Sequence, residues 1–583
     1  MSYLNIDSVK ERTGATNRRA TDRFDAIVVG SGISGGWAAK ELCDKGLKTL
    51  VLERGRDVKH VTDYPTTMMR PWEFPHLGQL PKELTDANPI ASRCYAFGED
   101  SAHFFVKDAE HPYVQDKPFD WIRGYQVGGK SLMWARGTQR WSKYDFEGPA
   151  RDGFAVEWPI TYNELAPWYS HVEIFAGISG NKDGLPQLPD GEFLPPFEQA
   201  CVEKHFTQQM AKHYKGTRPV IVSRCAHLTK PQPIHYQQGR AKCQQRDLCV
   251  RGCPYGGYFS SNSSTLPWAA RTGNMTLRPN SVVHSVIYDE KLGKATGVRV
   301  IDAITKEAVE YYAKIIFLNA STLNTNLILL NSKSNRFPNG LSNDNGLLGK
   351  YISFHNFRTT IYAEYEGLLD TTNEGTRPNS SYIPRFRNVF QQEKTDFLRG
   401  YAAGFSGERM TYSDTSGMGE PLKESLAKTK YGNWRVGSWM MGETIPKESN
   451  FVTLDPKLTD AWGVPLLKVS VDYDQNDNNM VKDFHEQMSE MLTKAGFKNI
   501  QTNDVPNKAP GLDIHEMGGV RMGKDPKTSQ LNKWNQLHHC KNVFVTDGAC
   551  MTSNSTQNPS LTFMAITARA ANYAVKQLKA KNL

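Results

Sequence analysis

An α/β protein, α+β overall, is predicted by three stretches of this sequence. Asp25 to Gly55 reads as strand, glycine turn, helix, strand and acid. Ser260 to Asn331 alternates short strands with turn signals and ends in a buried strand and a helix. Gly346 to Asn507 is strand-rich, with one long helical run from Asp474 to Gly496. The first two fit a Rossmann-like nucleotide-binding sheet; the third fits a separate sheet-plus-helices unit. The 583 residues hold about two to four domain-sized pieces. The expected division is interleaved: 1–165, 255–345 and 508–583 form the nucleotide-binding domain, 166–240 and 346–507 a substrate domain, and 241–254 a cysteine loop.

The first stretch carries the most local information. Asp25–Val29 is a short apolar strand, Gly30-Ser31-Gly32-Ile-Ser-Gly35 a glycine turn, Trp37–Lys45 an amphipathic helix, and Lys48–Leu52 a second strand ending at Glu53-Arg54. In this context Gly30 makes the tight turn and Gly32 admits a pyrophosphate. Gly35 lets helix and strand pack closely, and Glu53 takes ribose hydroxyls. An adenine dinucleotide is expected; the motif alone leaves FAD and NAD both open. Val61–Phe119, rich in Pro, His and aromatics, reads as a covering segment. Gly124-YQVGGKSLMWARGTQRW follows, where Gly128-Gly129, Ser131 and Trp134 suit either a flat ring or a plain glycine turn beside a core tryptophan.

The C-terminal part concentrates polar and glycine signals. His515 stands before Gly518-Gly519 in DIHEMGGVRMG. The apolar run Val543–Val545 ends at Asp547-Gly548, a strand end or a turn. Asn558-Pro559 then opens an Ala-rich helix reaching Ala580, with Asn as N-cap and Pro in the first helical position. Such a helix start aims unpaired N–H groups and partial positive charge at what precedes it. A neutral imidazole accepts protons near neutral pH, although a histidine in this setting is by itself most often structural.

Three of the nine cysteines cluster as CQQRDLCVRGCPYGG, placing Cys243, Cys249 and Cys253 in C-x5-C-x3-C-P. A disulfide would leave one thiol over, and zinc lacks a fourth ligand within the loop, the nearest upstream histidine being His235. Thiolates with flanking glycines suit an iron–sulfur cluster, and three ligands fit three irons. All three readings stay open on the residues alone.

Composition narrows the classes. Hydrophobic residues are 39% and charged residues 22%, as in globular proteins. The net charge of +9 is scattered without a basic stripe, which reads as solubility and docking and argues against nucleic acid. No apolar run approaches 18 residues, so no transmembrane segment is expected. Arg18-Arg19 has no hydrophobic segment behind it, so no signal peptide of the chain's own is expected.

Taken together, the Asp25 fingerprint, the Gly124 segment and the C-terminal stretch resemble the glucose–methanol–choline oxidoreductases, which bind FAD. AIVVGSGISGGWAAKEL, WPITYNELAPWY and NVFVTDGACMTSNSTQNPSLTFMAITARA look closest to the catalytic subunit of bacterial FAD-dependent glucoside 3-dehydrogenases. Pyranose oxidases and the flavin subunits of fructose and glucose dehydrogenases are more distant cousins. The resemblance implies that His515 takes the proton of a substrate alcohol while hydride leaves for flavin N5, with Asn558 as its amide partner. It implies cofactor contacts at Asp547, at the backbone of Val283, and at Pro559, where the last helix begins. Met133 stands where pyranose oxidases carry a flavin-linked histidine, implying non-covalent FAD. The cysteine spacing resembles a [3Fe–4S] segment, which implies a dehydrogenase passing electrons to cytochrome c or a quinone and accompanied by a small helical subunit. The implied reaction is oxidation of the C3 hydroxyl of a glucoside. His355 and Glu443 are polar residues of the substrate domain with two candidate roles, contact with substrate and a structural hydrogen bond, of which the second is favoured. The alternatives are a sugar oxidase with a structural cysteine loop and a non-enzymatic flavin or electron-transfer module. Residence in the cytoplasm, or in the periplasm after carriage by a signal-bearing partner, is compatible with all of this.

Overall fold

The computed structural model describes residues 18–371, 379–412, 417–427, 430–505 and 508–583. The chain begins with β1 (Arg18–Val29), α1 (Ile33–Asp44) and β2 (Thr49–Leu52). β1 starts earlier than its apolar core suggests because its first residues run beside Val309 and Glu310. Ala26 to Val29 are buried on both faces, the pattern of a strand flanked by parallel neighbours. β3 (Met275–Arg278), β4 (Ser281–Asp289), β5 (Lys294–Asp302), β6 (Ala308–Leu318) and α2 (Thr322–Asn331) follow. β1 pairs in parallel with β2 and β6, and β2 with β3. β5 runs antiparallel to both β6 and β4.

A second, antiparallel sheet is built from β7 (His355–Asn356), β8 (Thr359–Tyr365), β9 (Tyr401–Tyr412), β10 (Lys430–Glu443) and, after α3 (Gln475–Lys494), β11 (Lys498–Asp504). β10 lies between β8 and β9, and its last residues pair with β7. Ile361, Phe405 and Val436 of this sheet pack with Met480, Phe484 and Met488 of α3. Asp474 caps α3 by accepting the N–H of Asp477, whose carboxylate accepts the N–H of Asp474. The segments Phe451–Thr459 and Pro465–Ser470, expected with this sheet, instead pair with each other and with Val114–Gln115. The chain then returns to the first sheet as β12 (Cys540–Val545), parallel to β6, and ends in α4 (Ser560–Lys579). α4 packs on α1 through Ala570, Ala571 and Ala574 against Ala38, Ala39 and Leu42, small residues that let the helices approach closely. Among the described residues no helix is long and apolar enough to cross a membrane.

The glycine turn after β1 is explained by what surrounds each position. Gly30 has φ +96°, and a Cβ there would stand 2.2 Å from the carbonyl oxygen of Asn319 at the end of β6. A Cβ on Gly35 would meet the Gly30 carbonyl oxygen at 1.9 Å. Gly32 differs: a Cβ would touch nothing within 4 Å. Protein packing therefore requires glycine at 30 and 35, whereas at 32 it leaves room for something that is not protein.

Glu443, at the end of β10, is fully buried and does not reach a ligand cavity. Its carboxylate accepts from Arg399 Nε at 2.7 Å and Arg385 Nη1 at 3.1 Å, and Arg399 also binds Asp152 at 2.9 Å. This network ties the helix Lys143–Asp152 to the second sheet. Removing one member leaves charges buried without a counterion.

Two outcomes follow. Gly32→Val retains the thermal stability of cofactor-free wild type, by scanning fluorimetry, but purifies without dinucleotide; Gly35→Ala loses both. Glu443→Ala lowers unfolding stability by about 3–5 kcal/mol, the cost of breaking a buried ion network, read from urea denaturation midpoints.

Candidate active site

The carboxyl ends of β1, β2, β6 and β12 open into a cavity of about 630 Å³, closed on its far side by Thr360, Trp439 and Met441 of the second sheet and by Phe357, which links β7 to β8. Ligands of open parallel sheets bind at this end of the strands. Gly30, Ser31, Gly32, Glu53, Arg54 and Val283 lie on its wall. Ser31 donates to Glu53 through its N–H (3.1 Å) and hydroxyl (2.6 Å), and Gly55 N–H donates to the other carboxylate oxygen at 3.0 Å. Burial pushes the Glu53 carboxyl above its usual range. Arg54 is held by Asp460 at 2.7 Å, with its guanidinium over Tyr125 and Trp462.

The second glycine segment packs against the first. Gly128, at φ +89°, donates its N–H to the Ser31 hydroxyl at 3.0 Å, and a Cβ there would collide with Asn262 at 1.6 Å. Gly129, Ser131, Met133 and Trp134 reach the cavity, so this segment is a tight turn and also part of the wall. Gly35, Gly128 and Pro559 support the wall without lining it.

The last wall comes from the C-terminal stretch. Asp547 accepts from the Thr325 hydroxyl at 2.5 Å and the Ala549 N–H at 3.0 Å, and burial pushes its carboxyl up to about 6. Pro559, not Asn558, is the N-cap of α4, one residue later than the sequence suggests. Asn558 does not cap the helix; its amide turns to His515, Nδ2 lying 3.4 Å from Nε2. The first turn of α4 begins at Ser560 on the cavity wall, where its N–H groups have no intrahelical acceptors.

His515 is aimed by strained backbone. Ile514, β-branched, has φ +61°, and Gly518 and Gly519 have φ +90° and +88°. Its Nδ1 lies 2.8 Å from Nδ1 of His355, whose Nε2 faces the Ser555 carbonyl at 2.5 Å. The His355 N–H donates to Asp513 at 2.8 Å. Burial holds His355 at about 4 and His515 well below the usual imidazole range, so both rings are neutral at pH 7. Burial pushes Asp513 up to about 7. Sequence reasoning did not anticipate the His355 contact, which joins residues 160 positions apart.

Cys243, Cys249 and Cys253 line one smaller cavity with His227 and Tyr258. They form no disulfide. Cys249 Sγ is 3.8 Å from His227 Nε2, and Gly257 N–H points at Cys253 Sγ from 3.3 Å. Two residues missed at the sequence level border this chamber. Arg136 lines the large cavity, lays its guanidinium over Tyr258 and acts electrostatically on Cys249. Arg240, fully buried, acts on Cys253. Arg136 is too far from the cysteines in sequence to leave a spacing signal, whereas Arg240 stands three residues before Cys243 and could have been singled out.

Known proteins provide the remaining evidence. The chain matches the family model of the GMC oxidoreductases, its N-terminal part over residues 24–355 and its C-terminal part over 446–567. It is 28% identical over 580 residues to 2-methyl-1,2-propanediol dehydrogenase of Mycolicibacterium austroafricanum, covering 95% of each chain. It is 25% identical over 591 residues to the fructose dehydrogenase large subunit of Gluconobacter japonicus, covering 95% of this chain and 98% of that one. The crystal structure of pyridoxine 4-oxidase from Mesorbium loti superposes with a TM-score of 0.57 at 16% identity, over 95% of this chain and 99% of the other, which is a likeness of fold. The chain thus belongs to the GMC oxidoreductase family and is an FAD-dependent oxidoreductase acting on CH–OH groups.

Proposed function

We propose that this enzyme is a sugar dehydrogenase in which His515 removes the proton of a secondary hydroxyl, with C3 of a glucoside as the preferred position. The observation that carries the reading is the pairing of His515 Nε2 with the Asn558 amide at 3.4 Å on the cavity wall, beside the first turn of α4. FAD, when bound, supplies the hydride acceptor. The Gly30–Gly32 turn, Glu53, Gly129, Ser131, Val283 and Asp547 would hold it without a covalent link, Met133 being unable to form one. The open space at Gly32 fits a pyrophosphate.

The alcohol's O–H proton passes to His515 Nε2, and the carbinol C–H leaves with its electron pair, giving a ketone. The Asn558 amide orients the alcohol oxygen and stabilises charge that develops on it. The first turn of α4 offers N–H groups and partial positive charge to an anion formed beside it. Cavity-lining groups without partners among the described residues support a polyhydroxylated ligand: Thr360 Oγ1 and Asp513 Oδ1. Trp439 and Phe357 add aromatic surface. Similarity to a fructose dehydrogenase supports a sugar; the C3 position rests on the likeness of three sequence phrases to glucoside 3-dehydrogenases.

The proposal includes a [3Fe–4S] cluster on Cys243, Cys249 and Cys253, which would supply one-electron transfer. The three thiols share one small cavity with no disulfide among them, which supports a group held by all three. Buried arginines need negative partners, and Arg136 and Arg240 keep unpartnered N–H groups beside the thiols. The acceptor would be cytochrome c or a quinone, with a small helical subunit. A docking surface for such a partner is offered by exposed Met68, Trp72 and Leu77. They belong to the segment clasped to the cysteine loop by Thr67–Gly252 (2.7 Å) and Arg251–Met69 (2.9 Å).

His515→Ala slows flavin bleaching by sugar by about two or more orders of magnitude in stopped flow, with FAD retained. Loss of FAD in that variant would assign His515 to the cofactor site. Cys249→Ser leaves bleaching by sugar intact but slows reduction of an external acceptor and lowers the iron content. Low-temperature EPR with an iron count should find about three irons per FAD. Anaerobically purified protein that is iron-free and makes peroxide with sugar would be an oxidase.

A further inference from the structure

We propose that His355 is a positioning residue that fixes the tautomer of His515, so that the ring nitrogen facing the cavity is the one without a proton. The inference rests on the reading of His515 as the base and concerns what makes it one. It follows from the hydrogen-bonding capacity of three consecutive partners. The Ser555 carbonyl can only accept, so His355 Nε2, 2.5 Å away, carries a hydrogen. A neutral imidazole has one N–H, which leaves a lone pair on His355 Nδ1. That lone pair faces His515 Nδ1 at 2.8 Å, a contact that is attractive only if His515 Nδ1 holds the proton. His515 Nε2 is then the free lone pair, and it is the nitrogen that faces the Asn558 amide donor.

The opposite tautomer of His515 would set two lone pairs against each other at 2.8 Å. Nothing in the chain can reverse the sequence, because its far end is a backbone carbonyl. His355 is itself held by its N–H bond to Asp513 and by the pairing of β7 with Glu443 and Gly442 of β10. The two rings meet edge to face at 85°, which directs the Nδ1 of one toward the other. When His515 takes the substrate proton, its Nδ1–H bond to His355 is unchanged, so the step requires no rearrangement. His355, Asp513 and His515 also place possible metal ligands within 4.8 Å of one another. The 2.8 Å between Nδ1 atoms is a hydrogen-bond distance. Two nitrogens on one zinc, at about 2.0–2.1 Å from it in a tetrahedral site, stand roughly 3.3 Å apart.

The test exploits two amide side chains that each reproduce half of a histidine. In His355→Asn the amide oxygen stands at the Nδ1 position, keeping the acceptor and losing the link to Ser555. In His355→Gln the amide reaches the Ser555 carbonyl but leaves no acceptor opposite His515. The rate of flavin bleaching at saturating sugar is measured by stopped flow, with FAD content and melting temperature as controls. Asn should retain most of the rate. Gln should lose about two to four orders of magnitude with little change in half-saturating sugar. A Gln variant as fast as wild type, or an FAD-loaded Asn variant as slow as Gln, overturns the proposal. His515→Ala being slow while His355→Gln is fast would remove this inference and leave His515 as the base. Should neither variant fold, neutron diffraction of the oxidised wild-type holoenzyme decides: a deuteron on His515 Nδ1 supports the assignment, and one on Nε2 overturns it.

Discussion

The loop that carries His515 is wedged where only glycine fits. A Cβ on Gly518 would stand 2.3 Å from the Tyr351 carbonyl oxygen, and one on Gly519 would meet the Asn326 amide at 2.2 Å. Backbone bonds lock the wedge on both sides, Met517 with Ser353 and Gly518 with Gly548. The loop thereby touches the second sheet through Ser353 and the first through the residues following β12. His515 can meet His355 from one sheet and Asn558 from the other because the backbone between them comes this close. Strain at Ile514 is tolerated for the same reason: the surroundings over-determine it.

The site is costly in polar groups as well as in strain. Glu53, Asp513 and Asp547 are carboxyls deep in the protein, each with its affinity for a proton raised by burial. Glu53 and Asp547 are each largely satisfied by hydroxyl and N–H donors of nearby loops, so their hydrogen bonds are complete before a ligand arrives. Asp513 satisfies one oxygen and leaves the other without a partner. The division fits the proposed roles: Glu53 and Asp547 already have their donors, while Asp513 beside His515 keeps one oxygen free.

How much of this was legible in the sequence depends on the range of the contact. The Gly30–Gly35 turn was readable because sterics act within a few residues and a strand on either side fixes the context. The extent of α3 was readable because a helical run is a local pattern, although the reciprocal cap between Asp474 and Asp477 was not singled out. By contrast, Phe451–Thr459 and Pro465–Ser470 were recognisable as strands, but alternation does not say which sheet a strand joins. Asn558 was misassigned by one position because capping preference competes with a tertiary partner, and His515 wins. The His355–His515 contact and the approach of Arg136 to the cysteines depend on residues brought together only by the fold, whereas Arg240, three residues before Cys243, could have been singled out. A structural hydrogen bond was the favoured role for Glu443 over contact with substrate, and its two arginine partners agree with it.

The packing of α1 on α4 and the pairing of β1 with β6 have a consequence for biosynthesis. β1 finds one neighbour, β2, close by in sequence, but its other neighbour β6 and the α4 face that covers α1 come from segments translated much later. Until those segments dock, part of the apolar surface of Ala26–Val29 and Ala38–Leu42 lacks its native cover, the circumstance in which nascent chains aggregate or recruit chaperones. The nucleotide turn, local as its sequence is, thus depends for its setting on the docking of remote segments, contacts of the long-range kind that fold slowly.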